Sequence, residues 1–120
     1  MTEIQNSKQY DLEDRTLKYA KQIISFVSIL PLTAANVEIR KQLIRSGSSI
    51  GANYIEANES LSKKDFIMRI KICRKESKES IYWLRLIEIG EENAEKQRQR
   101  LIQETEELMR IFGSILQKTK

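Results

Sequence analysis

The chain of 120 residues contains no histidine. That absence removes the commonest general acid–base group and the commonest metal ligand. It also removes the one side chain whose ordinary pKa lies near neutrality. There is a single cysteine, Cys73, so neither an internal disulfide nor a thiolate zinc cage is open to the protein. One proline and four glycines are sparse punctuation, too sparse for a sandwich or barrel with many turns. No P-loop or dinucleotide fingerprint occurs. Residues 1–10 carry no secretory signal, and no apolar run approaches the roughly 18 residues of a membrane span. These absences lead us to expect a cytoplasmic, non-enzymatic protein without cofactor, metal or membrane contact, its cysteine kept reduced.

What remains is a charged, helix-forming composition. Hydrophobic residues make up 40% and charged residues 32%, with a mean hydropathy of −0.50. The length fits one domain spanning 1–120. Leu12, Thr16, Tyr19, Ile23, Phe26 and Leu30 step at helical spacing and predict a first helix over 12–30, stopped by Pro31. Thr33 or Asn36 is the expected N-cap of a second helix with Ile39, Leu43, Ser46, Ile50, Asn53/Tyr54 and Ala57 on one face. Its small-residue centre, Ser46-Gly47-Ser48-Ser49 with Gly51 and Ala52, keeps the apolar face in phase. It would let a neighbouring helix approach closely.

Ser62 followed by Asp65 signals the start of a third helix. Its core face is the heptad Phe66, Ile70, Cys73, Ser77, Ser80, Leu84 and Ile87. Gly90 fits its C-terminal cap. A fourth helix starting near Asn93 repeats the pattern through Ala94, Arg98, Leu101, Thr105, Leu108, Phe112 and Ile115. Short connections between such helices predict an all-α, antiparallel up-down-up-down four-helix bundle. Residues 1–10 and 117–120 are expected to fray.

Two helices carry apolar residues that a core does not need. Met68, Ile72, Trp83 and Leu86 gather on the far side of helix three. Val37, Ile44 and Ile55 lie opposite the core face of helix two. Scattered surface hydrophobes are the plainer explanation. The recurrence on adjacent helices and the inclusion of the only tryptophan favour an oligomer interface.

The net charge is +4, and it is unevenly placed. Residues 40–85 hold eleven basic and five acidic side chains. Arg40, Lys41, Arg45, Lys63, Lys64, Arg69, Lys71, Arg74, Lys75 and Lys78 form a candidate phosphate-contacting surface, read without base specificity. On a helix, Lys71, Arg74, Lys75 and Lys78 spread over adjacent exposed faces. For a monomer the alternative is a solvated face that pairs with Glu76, Glu79 and the acidic fourth helix. In a ring of identical copies the charges would add, and binding is favoured. Cys73, on a core face with no histidine to activate it, reads as a small buried apolar group. Asn53, Glu56 and Glu76 border apolar faces and suit a hydrogen-bonded network that fixes helix register.

The stretch Gln42-Leu43-Ile44-Arg45-Ser46-Gly47-Ser48-Ser49-Ile50-Gly51-Ala52-Asn53-Tyr54-Ile55-Glu56-Ala57 resembles the signature segment of a bacterial family. So do Tyr10-Asp11-Leu12, Lys63-Lys64-Asp65-Phe66, the run from Lys71 to Ser80, and Trp83-Leu84. The family is that of the 23S rRNA intervening-sequence proteins, four-helix bundles that include the accessory variability proteins of diversity-generating retroelements. Cys73, Ser77 and Ser80 stand where the family often has Ala, Ala and Thr, a difference that bears on packing. The resemblance implies a homopentameric barrel with a basic surface lining or flanking its channel. It implies nucleic acid, and in the retroelement branch a reverse transcriptase, as partners. It carries over no catalytic residue. We therefore expect an oligomeric scaffold that binds RNA or DNA; the alternative is a protein-binding adaptor with no nucleic-acid role.

Overall fold

A computed structural model describes the backbone of residues 2–120 and the side chains of residues 11–120. Four helices follow one another: α1 (Thr2–Ser28), α2 (Ala34–Asn58), α3 (Lys63–Leu86) and α4 (Glu92–Lys118). Helical backbone extends ahead of the expected start at Leu12. The expected fraying of residues 1–10 otherwise lies outside the described residues. At the other end the helix persists through Lys118, so only Thr119 and Lys120 of the expected frayed tail fall beyond it.

Contacts between helices fix their directions. Along α1 and α2, Glu13 meets Asn58, Thr16 meets Gly51 and Ile23 meets Gly47. Along α2 and α3, Asn53 meets Arg69 and Ser46 meets Ser80, and Asn36 meets Glu88 just past the end of α3. Rising numbers on one helix pair with falling numbers on the next, which makes the bundle antiparallel. All six residues of the expected α1 face are buried, from Leu12 to Leu30. All but Thr16 join Leu43, Ile50, Ile70, Leu84, Leu108 and Phe112 in one hydrophobic core.

The connections are held by specific polar groups. Past Ser28, the amides of Ile29 and Leu30 donate to Phe26 O and Val27 O, and Pro31 ends the segment. The hydroxyl of Thr33 accepts from Asn36 N at 3.1 Å and caps α2. Asn36 is therefore not the cap. Buried to 1% exposure, it donates to Pro31 O at 2.9 Å and to Glu88 O at 2.8 Å, and accepts from Glu88 N at 2.9 Å. One side chain thus joins the α1–α2 and α3–α4 connections. Ser62 caps α3 through Asp65 N at 3.1 Å, as its spacing predicts.

Gly90 departs from its expected role. α3 ends at Leu86 with Ile87 as an extended C-cap, and Gly90 lies in the loop beyond with φ +88°, its backbone against Pro31. A side chain there would be strained by the left-handed conformation.

The small-residue centre of α2 brings α1 close. A Cβ on Gly51 would stand 2.9 Å from Thr16 Oγ1, and one on Gly47 3.3 Å from Ile23 Cγ1. Helix α3 approaches on another side through Ser46, Ser77, Ser80 and Cys73, all fully buried. The Cys73 thiol donates to Ile50 O at 3.4 Å, and burial pushes its pKa up to about 12. It is inert packing, as its place on the core face predicts.

Candidate nucleic-acid interface

The ten candidate cations divide into two groups. Three of those on or facing α2 are tied up in pairs. Arg45 meets Glu76 Oε1 at 3.3 Å and also bonds Glu79. Arg69 donates to Asn53 Oδ1 at 2.9 Å and lies 4.0 Å from Glu56. Lys41 pairs with Glu38 at 3.4 Å, and Arg40 is half-buried. This is the register-fixing network expected of Asn53, Glu56 and Glu76. Glu79 is held below the ordinary carboxylate pKa, first by the indole N–H of Trp83 at 3.0 Å and then by Arg45.

The second group lies along α3. Lys63, Lys64, Lys71, Arg74, Lys75 and Lys78 are exposed and make no ion pair among the described residues. At about 100° per residue, Lys64, Lys71, Arg74, Lys75 and Lys78 fall, with Arg85, inside one arc roughly 100° wide. It faces away from the α2 ion pairs. Lys75 is the nearest to them, and its charge reaches Glu79. Tyr82, 59% exposed, stands in the same arc and sets its ring edge-on to Trp83 at 5.0 Å.

The expected local neutralisation is thus met by other partners. Glu76 and Glu79 are taken by Arg45, Glu104 and Glu107 by Arg15, and Glu95 by Arg98. None of these carboxylates is paired with the α3 row.

The seven candidate interface residues do not form one face. Gly47 and Gly51 of α2 look toward α1, and Ile44 and Ile55 share their side at helical spacing, with Val37 one heptad before Ile44. Arg45, Asn53 and Glu56 look toward α3 instead. Val37, Ile44 and Ile55 therefore flank α1, while Met68, Ile72, Trp83 and Leu86 lie across the ion-pair row on α3. Trp83 and Ile44 are half-buried and pack against the core, so each offers only part of its surface outward.

Two residues that periodicity passed over complete the α1–α2 strip. Leu17 and Ile24 are 55% and 51% exposed and follow directly on Thr16 and Ile23, which touch α2. Their spacing of seven residues, off the core face, was the available signal.

The family pattern described as 23S rRNA-intervening sequence protein matches residues 8–114. The chain belongs to this family. No curated protein matches it. Among solved structures, this 23S rRNA-intervening sequence family member is similar to a protein of unknown function from the S23 ribosomal protein family of Bacteroides thetaiotaomicron VPI-5482. The identity is 30% and the TM-score 0.78, with 92% of this chain and 98% of the other covered. The four-helix arrangement expected from the signature segment is thus the arrangement found.

Proposed function

We propose that the protein is a self-assembling, non-enzymatic helical scaffold that binds nucleic acid through phosphate contacts. The observation that carries this reading is the exposed α3 row, whose lysines and arginine lack acidic partners among the described residues. Such a row attracts a polyanion without reading bases. Tyr82 adds a ring on which an unpaired base could stack. Assembly rests on the α1–α2 strip of Leu17, Ile24, Ile44 and Ile55, an apolar surface of the kind that partner chains cover. The homopentamer implied by the family resemblance would repeat the α3 row around one axis. The absence of histidine and the buried, protonated Cys73 support a role without catalysis.

Retention of RNA and DNA fragments across a salt series tests the reading. Binding should weaken steeply as salt rises, with little sequence preference. Reversing Lys71→Glu and Lys75→Glu should flatten the log K against log salt slope by about 0.7–0.9 per lost contact. Stability should change by less than about 0.5 kcal/mol, because both sites are exposed. A wild-type protein that retains neither polymer at low salt would end the nucleic-acid reading and leave the protein-binding adaptor in its place.

A further inference from the structure

The seam between α1 and α4 is zipped along only part of its length. Tyr19 Oη and Thr105 Oγ1 lie 2.6 Å apart in the interior. Beside them Arg15 holds Glu104 at 2.8 Å and Glu107 at 2.9 Å. Toward the Pro31 end the two helices leave a groove of about 400 Å³. Lys18, Lys21 and Gln22 of α1 form one wall, and Asn93, Gln97 and Arg100 of α4 form the other. None of the six belongs to the core, whose edge here is the buried Leu101.

The charge of this groove is uncompensated. Lys18, Lys21 and Arg100 make no ion pair among the described residues. No carboxylate among the described residues lines the groove, and Glu104, in the adjoining cleft with Lys18 and Arg100, is already bound by Arg15 through two hydrogen bonds of 2.8 and 2.9 Å.

We propose that this groove binds a small phosphorylated ligand of nucleoside-diphosphate size. Its volume lies in the range of small-molecule sites, about 300–1,000 Å³. Lys18 and Lys21 stand about 4.5 Å apart along α1, and Arg100 faces them from α4. The guanidinium fork suits two phosphate oxygens at once, and the ammonium groups supply point charges beside it. Gln22, Gln97 and Asn93 each present donors and an acceptor, the complement of sugar hydroxyls. No aromatic ring among the described residues lines this groove, and Tyr19 in the adjoining cleft is buried with its hydroxyl on Thr105. The site therefore reads phosphate and sugar and is indifferent to the base. It lies on the far side of α4 from the α3 row and does not depend on that row's role.

Amide NMR titration of the full chain with adenosine diphosphate, uridine diphosphate and inorganic pyrophosphate tests this. Both nucleotides should shift the signals of Lys18, Gln22, Gln97 and Arg100 with similar affinities, and pyrophosphate should shift those of Lys18 and Arg100. The double variant Lys18→Gln/Arg100→Gln should weaken binding by about tenfold or more with unchanged helicity by circular dichroism. The α3 variant Lys71→Glu/Lys75→Glu should bind both nucleotides as the wild type does. Three outcomes would overturn the proposal. They are no shift at millimolar nucleotide in low salt, shifts confined to the α3 row, or groove shifts caused only by a single-stranded oligonucleotide.

Discussion

Two glycines in helix interiors show how one position can reverse the effect of the same substitution. Alanine is a better helix former than glycine by about 1 kcal/mol. At Gly113 nothing lies within 4 Å of an added Cβ, so Gly113→Ala should stabilise by about 0.5–1 kcal/mol. At Gly51 the added carbon would meet Thr16 Oγ1 at 2.9 Å and Thr16 Cβ at 3.1 Å. That hydroxyl cannot turn away freely, because it bonds Leu12 O and Glu13 O. Gly51→Ala should therefore destabilise by roughly 1–2 kcal/mol, the overpacking cost outweighing the propensity gain. Urea unfolding of both variants at one protein concentration checks the pair; gains at both sites would refute the close α1–α2 approach. Glu79 gives a residue-scale pH dependence. Its carboxyl is held below its ordinary 4.5, chiefly by Trp83. A depressed carboxylate contributes stability above its unfolded pKa, and that contribution is lost as pH falls through the folded value. Stability should decline progressively below 4.5, and Trp83→Phe should flatten the decline when unfolding is followed by circular dichroism.

Among the helical elements, the connections depend on a few polar side chains rather than on loop length. Asn36 satisfies two carbonyls and one amide across both connections at one end of the bundle. Asn36→Leu would leave those groups without their partners in a partly buried place, at a cost of about 1–3 kcal/mol. Asn36→Asp keeps an acceptor for Glu88 N but sets a carboxylate against two carbonyl oxygens, so it should also destabilise. Thermal melts of both variants check this, and near-wild-type stability of Asn36→Asp would show that the two donated bonds contribute little. Arg98 acts similarly at the end of α3. It donates to Ile87 O at 3.2 Å while paired with Glu95, which places a cation at a helix C-terminus. The residue preceding Gly47 shows the same economy of size. Ser46 meets Ser80 at 2.8 Å, and hydroxyls of this size let α2 and α3 pack closely while keeping their polar atoms bonded.

For the whole molecule, the question is which surface meets another copy. The strip of Leu17, Ile24, Ile44 and Ile55 lies on one side of α1–α2, and the α3 row lies away from α2. Self-association through the strip would leave the basic row free for phosphate. Light scattering at micromolar concentration should give a mass several times 14.1 kDa. Leu17→Glu with Ile24→Glu should reduce it toward the monomer while helicity stays unchanged, because both residues are about half exposed. Trp83→Glu is a poorer probe of assembly, since Trp83 packs on the core and bonds Glu79. A wild-type mass of one chain would exclude self-assembly and leave the strip open to a different protein.

The number of helices, their core faces and two of their caps follow from the order of residues alone. Leu12 through Leu30, the heptad of α3, and the hydroxyls of Thr33 and Ser62 all act within a few residues of themselves. Periodicity and capping are local properties, and the family signature around Gly47 and Gly51 is local too. The destination of outward-facing groups is not local. Lys71 and Arg45 are both exposed cations, yet Arg45 faces Glu76 and Glu79 across a seam that only α3 creates. Leu17 and Ile24 gain meaning only when α2 brings Ile44 and Ile55 alongside. Arg100 lies about eighty residues from Lys18 and Lys21 in the chain, and only the antiparallel return of α4 along α1 sets the three around one groove. Charge and hydropathy mark such residues as candidates. Helix packing decides which are neutralised, which are covered and which remain to meet a ligand, because it sets the distances over which those forces act.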